Sequence, residues 1–361
     1  MAGGLQQVMA LDALARAILL EGMFGEHGDD MLALLKGASP EVRNAFYASF
    51  PGAQGMEAQV RAHFEGVLEE VAAPDARRLE QAGEALARAF GVLSARVQEL
   101  EEESALVPAQ VRAYRETLKS GFARFPRILS DQRRGIPAPP AQPPHDPQAE
   151  VMPLPPPADV VLRKPGLLDC IRDRRSRRQY SDESIGVQEL SYLLWATQGL
   201  RAPARGRSTL RTVPSGGARH PLETYLAVLR VDPLPPALYR YLPLDHKLLL
   251  VARVDDLGVR LAEAALGQEF LGQAAVTFIW SAVPYRCEWR YTVEAKKLIL
   301  QDSGHVCQNL YLACESIGCG TVAIGAYDQE KADALLGVDG DEELVVYMAP
   351  VGRTLAETGS S

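Results

Sequence analysis

Arg174-Arg175-Ser176-Arg177-Arg178 is the stretch on which the reading of this chain turns. Four guanidinium groups around one hydroxyl form a concentrated anion site, because arginine's fork of N–H donors matches the oxygens of a phosphate and a serine adds one more contact. The run follows an apolar-periodic segment, Pro165-Gly-Leu-Leu-Asp-Cys-Ile-Arg-Asp173, in a chain whose net charge is -8. Taken alone, a basic run reads equally well as a solvated face. Other segments change its weight.

Thr212-Val-Pro-Ser-Gly-Gly-Ala-Arg-His-Pro-Leu-Glu223 is the second such segment. Its small residues at Pro214, Ser215, Gly216 and Gly217 let a ligand approach backbone N–H groups. Gly318-Cys-Gly-Thr-Val-Ala-Ile-Gly-Ala-Tyr-Asp328 is the third: a helix stops, a short strand follows, and Gly325-Ala326 offers unobstructed amides. In the fourth, Pro350-Val-Gly-Arg353, a buried strand emerges with an arginine at its end. Each of these alone is also an ordinary loop or strand end.

The elements between them alternate in type. Val187–Gln198 and Val259–Leu266 carry helical spacing, and Tyr291–Ile317 reads as one long helix that is apolar on most sides, hence central and buried. Leu222–Val231, Ala275–Val283 and Glu343–Val351 read as strands, the last an interior one. On the long helix Asp302, His305, Gln308 and Asn309 interrupt the apolar pattern, which points to a hydrogen-bond network, with direct catalysis as the alternative.

Residues 1–134 read as an all-helical domain. Leu5–Phe24, Met31–Leu35 and Met56–Val71 are amphipathic, Ser39-Pro40-Glu41 is a helix start, a heptad-like segment runs to Glu103, and Pro108 opens a helix to Leu129. Residues 135–157 are dense in proline and read as a polyproline linker, about 3.1 Å per residue if extended, that either separates domains or wraps along a surface. Residues 158–361 then form the third region.

At 361 residues the chain has room for two domains, and 47% apolar residues is ordinary for a globular protein. The acidic balance argues against a nucleic-acid partner. No apolar run reaches membrane-spanning length and the start lacks a basic leader, so a cytoplasmic protein is expected. Five cysteines, none before Cys170, are expected to be reduced and packed, and no metal site is expected.

Taken in order, the segments from residue 165 to 353 resemble the FMN-dependent nitroreductase superfamily. The closer resemblance is to its SagB-type branch, dehydrogenases that aromatise thiazolines and oxazolines. It is carried by Arg-Arg-Ser-Arg-Arg-Gln-Tyr-Ser at 174–181, Leu190-Ser-Tyr-Leu-Leu-Trp-Ala-Thr-Gln-Gly-Leu200, the loop at 211–223, and Leu238-Tyr-Arg-Tyr241. Ala265-Leu-Gly-Gln-Glu269, Asp302-Ser-Gly-His-Val-Cys-Gln-Asn-Leu-Tyr-Leu-Ala313 and Gly318-Cys-Gly-Thr-Val-Ala-Ile-Gly325 complete it. The resemblance implies an α/β (α+β) fold, a three-layer sandwich with a mixed sheet, here preceded by the helical domain. It also implies a homodimer with two FMN sites at its interface. Only eight residues follow Arg353, so the central helix, with the N-terminal bundle, is expected to supply that interface.

By motif position, Arg174, Arg175 and Ser176 would serve the FMN phosphate and ribityl end, and Arg178 the pyrimidine edge. Pro214, Ser215 and Gly216 would approach the ring from the partner subunit. The Ala323-Ile324-Gly325-Ala326 segment would face the ring, with the Gly325 and Ala326 amides toward N5 and O4, and Arg353 would close on the phosphate. Azoline-oxidising members carry a Lys-Tyr pair before the central helix, implicated in proton abstraction. This chain has Arg290-Tyr291 there. Arginine stays protonated, which leaves Tyr291 as candidate base with Arg290 beside it, or both residues simply packing at the site mouth.

The function implied is an FMN-dependent dehydrogenase acting on a thiazoline- or oxazoline-type ring in a peptide or carrier-bound natural-product intermediate. The first alternative is an NAD(P)H-dependent nitro or quinone reductase. The second is an inactive flavin fold that binds a peptide or biosynthetic partner through the helical domain.

Overall fold

In a computed structural model of the chain, Pro40 and residues 107–123, 128–205 and 208–355 are described. The chain divides into two compact units, Met1–Glu116 and Thr117–Ser361. Of the expected N-terminal helices, those over residues 1–106 lie outside the described residues, apart from Pro40, which is helical. Residues 107–115 are helical, but the helix expected to reach Leu129 ends in a 3-10 turn at Glu116–Leu118. Gly121 follows a few residues on, and glycine costs a helix about 1 kcal/mol relative to alanine.

The second unit is built on a seven-stranded sheet. Its strands are β1 (Val151–Pro153), β5 (Leu222–Val228), β7 (Ala237–Leu242), β8 (Lys247–Ala252), β9 (Val276–Ala282), β10 (Cys319–Thr321) and β11 (Leu344–Arg353). They lie in the order β1-β8-β7-β5-β9-β11-β10, and every pairing is antiparallel. The parallel pairing expected of a mixed sheet is found outside it, between the short strands β2 (Ile185–Gly186) and β6 (Val231–Asp232). A separate hairpin joins β3 (Leu200–Arg205) to β4 (Ser208–Arg211).

Helices cover both faces of the large sheet. On one side lie α1 (Leu167–Asp173), α2 (Val187–Gln198), α5 (Tyr285–Tyr291) and α6 (Ala295–Ile317), and on the other α3 (Leu257–Ala264), α4 (Phe270–Gln273) and α7 (Gln329–Leu336). Strand side chains alternate between the faces. Leu222, Leu226 and Val228 of β5 pack in the α2/α6 core with Phe278 and Trp280 of β9. Tyr225, Ala227 and Ile279 pack in the α3/α7 core. With both faces covered, β5 and β9 are buried at every position, including the polar residues Glu223, Thr224, Thr277 and Ser281 that interrupt their apolar sequence. Phe278 and Trp280 are wholly buried, each contributing on the order of 2–3 kcal/mol by area removed from water.

The central helix starts later than its sequence pattern suggests. Thr292 adopts φ 47° and ψ -124°, which no helix accommodates, so α5 ends at Tyr291 and α6 begins at Ala295. Tyr291 is thereby set at the end of its own short helix. At the other end Gly318, φ 72°, stops α6.

The proline-rich segment is bound to this unit along its length. The Trp289 indole N–H donates to the Ile136 carbonyl at 2.8 Å, Arg286 Nε to Pro140 at 3.0 Å, Arg211 Nη2 to Ala141 at 3.0 Å and Arg240 Nη2 to Pro143 at 3.2 Å. Ser191 Oγ donates to Pro155 at 2.5 Å. Proline lacks an N–H but keeps its carbonyl, so a polyproline strand is a row of acceptors, and buried arginines use it as such. The compact unit Thr117–Ser361 thus includes this segment. The five cysteines are all free and buried. Among the described residues no helix is long and apolar enough to cross a membrane.

Candidate functional site

The arginine run leaves α1 at its C-terminus and bridges to β10. Arg177 N–H donates to the Thr321 carbonyl at 3.0 Å, and Ser176 pairs with Thr321. This places the run beside the Ala323–Ala326 segment, which follows β10. The two are joined by Tyr311 of α6. Its hydroxyl lies 3.0 Å from Ser176 Oγ and accepts the Ala323 N–H at 2.8 Å, and the Arg174 guanidinium stands 5.1 Å over its ring. Sequence reading passed over Tyr311. The available signal was a single phenol in the otherwise aliphatic seam Leu310-Tyr-Leu-Ala313.

The four arginines divide into two kinds. Arg177 is turned inward to Glu315, at 3.4 Å from a carboxylate that is 7% exposed. Arg174 and Arg178 have no carboxylate partner among the described residues, and Ser176 is exposed beside them. Arg175 is exposed as well. Two guanidiniums without a carboxylate partner and an exposed hydroxyl held by Tyr311, in an acidic chain, form a cradle suited to a phosphate.

One expectation needs correction. Arg353 does not face this cradle as a free clamp. It is 9% exposed, its Nη2 bonds both oxygens of Glu189 at 2.7 and 2.6 Å, and its Nη1 donates to the Ile317 carbonyl at 3.0 Å. Its charge is already neutralised, and it ties the end of β11 to α2. Ala323 and Ile324, expected as part of the segment beside the ring, have their amides engaged within the protein. The first donates to Tyr311, and the second exchanges both backbone bonds with Met348. Gly325 and Ala326 remain: both are exposed, and neither amide has a partner among the described residues.

The Pro214–Gly217 loop sits elsewhere on α6. Ser215 Oγ donates to Asp302 Oδ2 at 2.6 Å, the Gly216 N–H donates to Oδ1 at 3.2 Å, and Ser215 Oγ accepts the His220 N–H at 2.9 Å. Asp302 is 4% exposed, and burial raises its carboxyl above the ordinary value against the opposing pull of Ser215 and Gly216. Asp302 thus belongs to a hydrogen-bond network, as does Asn309, whose Nδ2 donates to Ala196 at 2.8 Å, while His305 and Gln308 are exposed.

The same loop meets Arg290 and Tyr291. Gly217 has φ 60°, and a Cβ there would overlap the Tyr291 hydroxyl and lie 3.0 Å from Arg290 Nη1. Glycine is required by both conformation and space. The Arg290 guanidinium lies 5.2 Å over the Tyr291 ring, and Phe122 meets the ring edge-on at 5.9 Å. Nearby, Arg219 stacks on Trp289 at 5.1 Å, and its pKa is lowered first by burial and then by Arg290. His220 is a poor base: burial pushes it down to about 3, and Nε2–H donates to the Thr209 carbonyl at 3.1 Å.

An antiparallel sheet between two helical layers, with an arginine-rich cradle at one loop and a phenol beside an arginine at another, defines an α+β protein suited to a phosphorylated cofactor. The chain belongs to the nitroreductase family, whose model matches residues 171–353. A protein of Methanocaldococcus jannaschii named as a nitroreductase is 34% identical over 189 residues, covering 52% of this chain and 91% of that one. The trifolitoxin operon protein TfxC of Rhizobium leguminosarum bv. trifolii is 24% identical over 200 residues, 52% of this chain and 55% of TfxC. Among solved structures, a nitroreductase-like protein of Ralstonia eutropha aligns at 25% identity with a TM-score of 0.49, over 61% of this chain and all of that one.

Nitroreductase-family proteins bind FMN. The residues present fit it. Arg174, Arg178 and Ser176 suit its phosphate and polar edge, and the unpartnered Gly325 and Ala326 amides suit the acceptor atoms of its ring. Arg353 and the amides of Ala323 and Ile324 are committed to the protein itself.

Proposed function

We propose that this protein is an FMN-dependent dehydrogenase that oxidises a thiazoline- or oxazoline-type ring in a peptide or carrier-bound intermediate. The observation that carries the reading is the placement of the Tyr291 hydroxyl against Gly217, with Arg290 beside it. Such oxidation removes a hydride and a proton from the ring. FMN, when bound, supplies the two-electron acceptor. The chain must supply the acceptor for the proton. The Arg290 guanidinium has no lone pair with which to accept it, whereas the phenol oxygen of Tyr291 has the chemistry of a proton carrier. His220 is excluded by its buried bond to Thr209. The similarity to TfxC, named for a trifolitoxin operon, agrees with a role in making a natural product.

The active unit in this reading is a homodimer. Leu167, Leu168 and Ile171 of α1 and Leu300 of α6 are 55–74% exposed, an apolar surface suited to a second copy. A partner's Pro214–Gly217 loop would then complete each cradle.

The alternative is an NAD(P)H-dependent reductase, which needs no residue to abstract a proton from carbon. Anaerobic mixing of the yellow protein with an azoline-containing peptide, and separately with NADPH, tests the choice. Bleaching of the flavin band by the peptide supports the dehydrogenase. Bleaching by NADPH alone supports the reductase. A protein that carries no flavin under any condition supports neither.

A further inference from the structure

Tyr311 stands between two segments that each face the cofactor cradle, and donor–acceptor chemistry sets the direction of its hydrogen bonds. An amide can only donate, so in the 2.8 Å contact with Ala323 the Tyr311 oxygen accepts. The phenol keeps one hydrogen. Tyr311 is 9% exposed, and the only protein oxygen within reach of that hydrogen among the described residues is Ser176 Oγ at 3.0 Å. A buried hydroxyl hydrogen left without an acceptor is costly, so Tyr311 donates to Ser176. Ser176 is exposed, and with its oxygen already receiving a hydrogen its own hydrogen is left to point outward.

We propose that Tyr311 is the positioning residue of the flavin site: it presents the Ser176 hydroxyl as a donor toward the phosphate-side oxygens and fixes the origin of the Gly325-Ala326 amide pair. The proposal rests on the FMN reading above. It adds an ordered chain from the Ala323 N–H through the Tyr311 hydroxyl to the Ser176 hydroxyl, ending on the ligand. The same ring supports Arg174 from below, 5.1 Å from its guanidinium carbon. One side chain thereby aligns the charged and neutral donors of the cradle and ties them to the segment that meets the ring. Neither loop contains the information to do this alone.

The test is a double-mutant cycle on FMN affinity, read by quenching of flavin fluorescence, in the full chain. Tyr311→Phe should weaken FMN roughly tenfold, the loss of one hydrogen bond to a charged group. Ser176→Ala should do the same, and the double variant should be little worse than either, because both break one chain. Melting of the flavin-free protein should move little. Hydrogen exchange on the flavin-free parent supplies a readout independent of binding: the Ala323 amide should be protected, and in Tyr311→Phe it should be released while the α6 amides stay protected. FMN bound equally well by Tyr311→Phe and the parent, or losses that multiply in the double variant, would overturn the role of Tyr311 and leave the cofactor assignment standing. An unprotected Ala323 amide in the parent does so too, even if Tyr311→Phe fails to fold. A parent with no affinity for FMN defeats the cofactor assignment itself, and this inference with it.

Discussion

Asp302 and Tyr311 leave opposite faces of one helix and hold two different loops. Asp302 binds the Ser215-Gly216 turn, and Tyr311 binds Ser176 and Ala323. Nine residues of α-helix is two and a half turns, so the two side chains diverge by about 180° and are separated by about 13 Å along the axis. A central helix that presents two half-sites on opposite faces cannot close them on one another within one chain. In the proposed homodimer, a two-fold partner would bring the loop of one copy to the cradle of the other.

The first expectation is therefore a homodimer that carries FMN. Light scattering on the flavin-loaded protein should give twice the chain mass. A loaded monomer would show that one chain completes the site and that the half-site argument is mistaken.

Tyr291→Phe should keep FMN bound yet slow turnover of an azoline substrate by roughly 10²- to 10⁴-fold, the usual effect of removing a general base. Arg290→Lys, which keeps the cation, should be far milder. Rates near those of the parent for Tyr291→Phe would remove the phenol from the chemistry.

Arg178→Ala and Arg353→Ala should fail in different ways. Arg178 has no carboxylate partner among the described residues, so its loss should lower flavin occupancy with little change in melting temperature. Arg353→Ala leaves Glu189 without its partner in a mostly buried position and should destabilise the fold by about 3 kcal/mol, whether or not flavin is present. Thermal melting of the flavin-free variants separates the two. An unchanged melting temperature for Arg353→Ala would return that residue to the list of phosphate ligands.

His220 makes stability depend on acidity. Its pKa in the folded chain is pushed down to about 3 by burial, against an ordinary value of 6.5. Below the ordinary value the unfolded chain takes up a proton that the folded chain refuses, so stability falls as the pH drops from about 6.5 toward 3. Replacing His220 with Gln, which cannot titrate, should flatten that part of the profile in denaturant melts. The same slope in both proteins would assign the acid sensitivity to other groups.

Arg286→Met should be among the most damaging changes outside the site. Arg286 is 3% exposed and bonds Glu223 at 2.6 Å and the Pro140 carbonyl at 3.0 Å, so its removal strands a carboxylate that is 1% exposed. The cost should be about 3–5 kcal/mol, lowering the melting temperature by on the order of 10 °C. Faster proteolysis within residues 135–157 should accompany it, since the proline strap loses an anchor.

What the amino-acid order determined by itself was local. The arginine–serine run, the small residues of the 214–217 turn, the helical spacing of Val187–Gln198 and the buried strands β5, β9 and β11 are read from side-chain type and period, because sterics and apolar burial act over a few residues. The tertiary structure decided which of these groups remain available. Arg353 is spent on Glu189, far away in sequence, and the Ala323 amide on Tyr311. The proline-rich stretch became a strap because Arg211, Arg240, Arg286 and Trp289, all remote from it, supply the donors that proline lacks. The break at Thr292, inside what reads as one helix, gave Tyr291 its own element and its place at Gly217. In each case the deciding partner is brought near by chain reversal, and a hydrogen-bond partner across the fold leaves no period in the sequence.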